Sequence, residues 1–77
     1  MEIRIKHVMA VVFEVDINQI NENTSPDCLE KWDSLGHMNI ILALEEEFGA
    51  TFTDDEIAEM LNFELINMIL RNKDGLK

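Results

Sequence analysis

Lys31-Trp32-Asp33-Ser34-Leu35-Gly36-His37-Met38-Asn39-Ile40-Ile41 is the stretch on which the reading of this chain turns. A short polar residue, Asp33 or Ser34, closes a long irregular segment, and an apolar-periodic run begins at once. That is how a helix N-terminus reads, because a side-chain oxygen there accepts from backbone N–H groups that have no partner inside the helix. The junction sets a hydroxyl beside a carboxylate at the positive end of a helix dipole. Such a place suits an anion, including a phosphate esterified to that hydroxyl. It equally suits a serine that only caps.

Downstream, the helix is expected to run from Ser34 to about Phe48, with Gly49 as its stop. Leu35, Met38, Ile41, Leu42, Leu44 and Phe48 spread around a wide apolar face, which predicts contacts on several sides. Glu45 and Glu46 at its end oppose the macrodipole, an arrangement that favours a partner-facing role. Upstream, residues 15–33 read as a long loop. Asn18, Asn21, Asn23, Thr24, Ser25, Pro26 and Asp27 are turn formers, and Ile17, Ile20, Leu29 and Trp32 are apolar pins that would fasten the loop across the bundle. Ser25 and Pro26 could open a short turn of helix toward Glu30.

The flanks are helical as well. A first helix, about residues 2–14, carries Ile5, Val8, Val12 and Val15 at helical spacing, widened by Met9 and Phe13, with Arg4, Lys6 and His7 on its polar side. Thr53 followed by Glu56 is a capping box that opens a short third helix, about residues 54–60, with Ile57, Met60 and Leu61 inward. Asn62 caps a last helix, about residues 63–72, with Leu65, Ile66, Ile69 and Leu70 as its buried stripe. Residues 74–77 are expected to fray. The fold class is therefore all-α, a small four-helix bundle of three longer helices and a short third one. With 77 residues the chain is read as a single domain.

Composition narrows the function. Sixteen acids against six bases give a net charge of -10, and no Lys or Arg lies between Asp33 and Leu70. Such a surface repels nucleic acid and anionic membranes and attracts proteins with basic patches. The one cysteine, Cys28, excludes an internal disulfide and a multi-cysteine metal site, and it reads as a small packing residue. The apolar run Val8–Phe13 is too short for a membrane span or a secretory core, and with a lone cysteine and no signal peptide a reducing cytoplasm is expected; a monomer is expected as well. Asp54-Asp55 lacks the alternating acids and glycine of a calcium loop, so no metal site is expected. There is no nucleophile–base pair and no phosphate-binding glycine loop. The chain reads as a non-enzyme without catalytic residues, an acidic helical module that engages other proteins.

Three segments in order, Asp33-Ser34-Leu35, then Ala43-Leu44-Glu45-Glu46-Glu47-Phe48-Gly49, then Phe52-Thr53-Asp54-Asp55-Glu56-Ile57, resemble the acyl carrier protein family. The likeness covers almost the whole chain. Asp-Ser-Leu alone is a weak match; with this spacing, length and charge it is a specific one. The resemblance implies that Ser34 carries 4′-phosphopantetheine, transferred from coenzyme A by a separate, magnesium-using phosphopantetheinyl transferase. The arm's thiol would hold acyl or aminoacyl groups as thioesters and deliver them to partner enzymes of fatty-acid, polyketide, polysaccharide or related biosynthesis. Asp33 would help place the transferase's metal and fix the local geometry. Leu35, Met38, Glu45, Glu46, Asp54 and Ile57 would meet the basic docking patches of partners. Met38, Leu42, Phe52, Ile57, Met60 and Leu61 would line an interior that loosens to shelter an acyl chain.

The chain also departs from that pattern. Positions matching Gly36 and Asn39 are commonly acidic in fatty-acid carriers, and here the first turn gains His37 instead. Trp32 stands where a small or apolar residue is usual. Trp32-Asp33-Ser34-Leu35-Gly36-His37 looks more like the specialised carriers of secondary-metabolite, surface-polysaccharide or aminoacyl pathways. His37, three residues past Ser34, would lie near the phosphodiester or stand as an exposed imidazole. The competing reading is an acidic adaptor or inhibitor that resembles carriers and is never modified.

Overall fold

The computed structural model describes all 77 residues, and the chain is helical with no strand. Helix α1 spans Glu2–Phe13, α2 Ser34–Phe48, α3 Asp54–Glu59 and α4 Phe63–Arg71, with one 3-10 turn at Ile17–Gln19 inside the long connection. The all-α four-helix bundle with a short third helix is what forms.

Fifteen buried apolar side chains make one core. From α1 it takes Ile5, Met9 and Phe13, each four residues after the last and so on one face. Val8, Val12 and Val15 sit half-buried at its edge. The sequence puts the valines at the centre of the stripe; the longer side chains take it because they reach the bundle axis. Helix α2 turns Ile40, Ile41, Leu44 and Phe48 inward. Its wide apolar face is divided, not enclosed on several sides: Leu35, Met38 and Leu42 are exposed. In α4, Phe63, Ile66 and Leu70 are buried together with Asn67, and Leu65 and Ile69 lie half-buried beside them.

Helix ends follow the residue chemistry. Gly49, at φ 64°, closes α2 in the left-handed region that glycine adopts without a Cβ penalty. Thr53 Oγ1 accepts from Glu56 N–H at 3.1 Å, and Glu56 accepts from Thr53 N–H at 2.9 Å, completing the capping box of α3. Asn62 Oδ1 accepts from Leu65 N–H at 2.8 Å and starts α4.

The long connection is stapled down. Ile20, Leu29 and Trp32 are buried in the core. Thr24 is buried too; its hydroxyl accepts from Asn21 N–H at 2.9 Å, and its carbonyl accepts from Phe63 N–H at 2.8 Å, tying the loop to the start of α4. Ser25–Cys28 forms one turn, closed by Cys28 N–H to the Ser25 carbonyl at 2.9 Å, and no helix follows toward Glu30. Cys28 is exposed and is not a packing residue.

Residues 74–77 are not frayed. Lys77 N–H donates to the Phe48 carbonyl at 2.9 Å, and Leu76 packs on the core. Arg4 is the clamp: its guanidinium lies 4.4 Å from the Phe48 ring centroid, pairs with Glu47 at 3.1 Å and donates to the Lys77 carbonyl at 2.9 Å. Geometry of this kind, a fork with several acceptors and an aromatic face, is what arginine supplies and lysine does not.

Candidate functional site

The start of α2 resolves the choice left open by sequence. Asp33 is the cap: its backbone is extended and its Oδ1 accepts from Gly36 N–H at 2.8 Å. Ser34 is the first helical residue, exposed, and its hydroxyl has no partner within the chain. The serine is thus relieved of capping and points an unengaged Oγ outward at the positive end of a fifteen-residue helix.

Three neighbours hold that platform. Gly36 is buried, and a Cβ there would stand 1.9 Å from the Lys31 carbonyl oxygen. The absent side chain lets the incoming loop lie directly on the first turn. Trp32 then reaches inward, 2% exposed, and stacks on Phe13 at 5.2 Å between ring centroids. Its indole Nε1–H donates to His37 Nδ1 at 2.9 Å. An accepting Nδ1 leaves the proton on Nε2, which donates to the Ile57 carbonyl at 2.9 Å, at the last turn of α3. His37 is therefore not an exposed imidazole; it lines the groove beside Ser34 with its ring nitrogens engaged elsewhere. It is half-buried with both nitrogens committed.

A groove of about 570 Å³ opens beside Ser34, lined by Pro26, Trp32, Asp33, Ser34, His37, Met38, Met60 and Leu61. A larger one of about 690 Å³ lies along α1 and α2, with Ile3, Val8, Val11 and Ala43 among its walls, and does not reach Ser34. Only the first of these two reaches Ser34.

The residues expected to meet partners divide into groups. Leu35 is 71% exposed and Met38 47%, and Glu46 and Asp54 are exposed. Ile57 is half-buried. Glu45 is turned inward: its carboxylate accepts from Phe52 N–H at 3.0 Å, bracing the α2–α3 connection. Its place near the helix end has a structural reason that charge counting missed. Of the six residues expected to line an interior, Met38, Met60 and Leu61 share the groove beside Ser34. Phe52 and Met60 are in the closed core, whereas Leu42 and Leu61 are 59% and 62% exposed and Met38 stands with them. The structural roles of Gly36 and Glu45 carry no signature of their own in sequence, since each depends on a backbone group from another segment.

Two carboxyls are shifted. A hydrogen bond from Lys73 holds Glu56 below the usual carboxylate range, aided by the Thr53 N–H. The Lys31 ammonium does the same for Glu14, by hydrogen bond and by charge.

A curated relative named acyl carrier protein, from Lactobacillus acidophilus, is 45% identical over 53 residues, which cover 69% of this chain and 66% of the relative. This chain belongs to the acyl carrier protein family. No family model matches it. The matched part spans just under two thirds of that acyl carrier protein's length. The four-helix, strand-free bundle agrees with the acyl carrier protein fold. None of its helices is long and apolar enough to cross a membrane.

Proposed function

We propose that this protein is a carrier, not an enzyme, and that Ser34 is the attachment point of a 4′-phosphopantetheine arm. The observation that supports this most is the division of labour at the start of α2. Asp33 caps the helix and leaves the Ser34 hydroxyl exposed and without a partner beside an open groove. A serine needed for the cap would not be free to be esterified.

The chain's residues fit the group. Ser34 Oγ would form the new bond to the phosphorus of coenzyme A nearest the pantetheine. The bond from that phosphorus to the adenosine bisphosphate would break, and the hydroxyl proton would pass to a base on the transferase. No base is needed within this chain, and no side chain here is hydrogen-bonded to the Ser34 hydroxyl. The phosphodiester would then lie at the positive end of α2, which favours its charge. Asp33 would keep that end ordered and help place the transferase's metal. The thiol of the arm supplies thioester chemistry, and the protein supplies position and recognition.

Leu35 and Met38, exposed one and four residues past Ser34, would enter the apolar part of a partner's docking site. Glu46 and Asp54 would meet its basic residues, and the excess of acids would speed encounter with such surfaces. The cargo is an acyl or aminoacyl group in fatty-acid, polyketide, polysaccharide or related biosynthesis, in a cytoplasmic setting.

The test is to incubate the chain with coenzyme A, magnesium and a broad-specificity phosphopantetheinyl transferase, and to take intact masses with Ser34→Ala alongside. A gain of one phosphopantetheinyl group that the variant lacks is expected. No gain on folded protein with several active transferases overturns the carrier and leaves an acidic adaptor.

A further inference from the structure

We propose that His37 determines what this carrier can hold: it seals the core against a chain tethered at Ser34. The cargo is thereby kept in the outer groove, and short or polar acyl groups are favoured over long alkyl ones. The inference rests on Ser34 being the attachment point.

The groove beside Ser34 is also lined by Met60, which is wholly buried in the core. An alkyl chain lying there would gain by sliding past Met60 into apolar surroundings. His37, between Ser34 and Met60 in sequence, lines the same groove and bonds to the element that carries Met60. Rooted in the first turn of α2, it reaches across to the Ile57 carbonyl on α3, three residues before Met60. Its other nitrogen is held by Trp32, whose ring is stacked on Phe13. The bolt therefore joins α2, α3, the loop and, through Phe13, α1.

Opening it has a specific penalty. The indole N–H of a residue 2% exposed would lose its acceptor, and the Ile57 carbonyl would be left with the Met60 N–H alone, at 3.3 Å. A buried donor left unpaired is costly, and an entering alkyl chain offers no acceptor. Gly36 completes the device, because only without a Cβ there can the loop lie close enough to bring Trp32 within reach of His37. Trp32, Gly36 and His37, each unusual beside fatty-acid carriers, are thus one unit.

The apolar residues left outside agree with a cargo held at the surface. Met38 and Leu61 wall the groove, and both are about half exposed or more, which suits contact with a short acyl group and the arm that carries it.

The experiment loads Ser34 of the wild type, His37→Ala and His37→Gln from butyryl-, octanoyl- and dodecanoyl-coenzyme A. Loading is checked by intact mass. The rate of thioester cleavage by hydroxylamine and the emission of Trp32, the sole tryptophan in a chain without tyrosine, are then followed. In the wild type, both are expected to be the same for all three chains. In His37→Ala the dodecanoyl thioester should be cleaved roughly tenfold more slowly than the butyryl one, the equilibrium weight of about one buried hydrogen bond. Trp32 emission should shift with it. His37→Gln, whose amide can both accept and donate, should restore length-independence.

General loosening of the fold would not create protection that grows with chain length. Length-dependent protection already in the wild type overturns the proposal, and so does length-independence in His37→Ala. Should that variant not fold, Trp32→Phe keeps the ring and removes the donor, and the same length dependence is required of it. Absence of loading in every protein sinks the attachment reading and this proposal together; loading without the length effect sinks this proposal alone.

Discussion

The carbonyl oxygen of Lys31 stands 1.9 Å from where a Cβ on Gly36 would be, so the loop and the first turn of α2 share a space that only glycine leaves open. Replacing a helical glycine with alanine usually stabilises by about 0.5–1 kcal/mol. Here the sign should reverse. The contact is with backbone, which cannot swing aside, and the overlap should cost about 1–3 kcal/mol. For a domain of this size that lowers Tm by roughly 4–8 °C for each kcal/mol. A Tm for Gly36→Ala at or above the wild-type value would refute the steric reading.

Capping by Asp33 and the attachment proposed for Ser34 fall on adjacent residues, so they can be separated. Ser34→Ala should change stability by no more than about 0.5 kcal/mol, the range of exposed substitutions, while abolishing modification. Asp33→Ala should cost about 0.5–2 kcal/mol through the lost cap. Urea unfolding of both variants decides it, and a Ser34→Ala loss as large as that of Asp33→Ala would put the cap back on the serine.

Glu45 and Glu46 look alike in sequence and differ in the fold. Glu45→Ala removes the acceptor of Phe52 N–H and should cost about 1 kcal/mol. Glu46→Lys leaves the fold's side-chain bonds untouched and should raise the transferase KM several-fold, more at low salt than at high salt. Thermal melts and transferase kinetics on the two variants separate the roles; equal effects on both readouts would show the division to be false.

Glu14 and Glu56 make part of the stability depend on pH. Both carboxyls lie below about 4.5 in the folded chain and return to it on unfolding. Their ion pairs therefore contribute fully above about pH 4.5, and the contribution is lost as pH falls through the lowered folded values. The stability gap between the wild type and Lys31→Met/Lys73→Met, measured by urea unfolding, should hold steady above pH 5 and narrow toward pH 3. A gap that widens on acidification contradicts the sign.

Much of this architecture was legible because it is local. Helical spacing, Gly49, the Thr53–Glu56 box and the Asn62 cap each act within a few residues. What escaped depends on meetings across the chain. No periodicity says that the valines of α1 yield the centre of the stripe to Met9 and Phe13, or that Leu42 and Leu61 face outward. The Trp32–His37–Ile57 relay joins three segments, and the last acceptor is a backbone carbonyl, invisible in the identity of its side chain. Asn67 is buried with an unpaired Oδ1, and nothing in the surrounding structure explains it.

Lys31 is the sole Lys or Arg between Lys6 and Arg71, which makes it the one interior bond that trypsin can attack over that whole span. That bond is shielded: its carbonyl is seated on Gly36, and its ammonium is held by Glu14. A protease needs the chain drawn out into its cleft, so cutting there must wait for the loop at Lys31 to lift away from the first turn of α2. Limited digestion thus has a single inner cut, and the rate at which its two fragments appear serves as a clock for how often this region opens while the rest of the bundle stays folded.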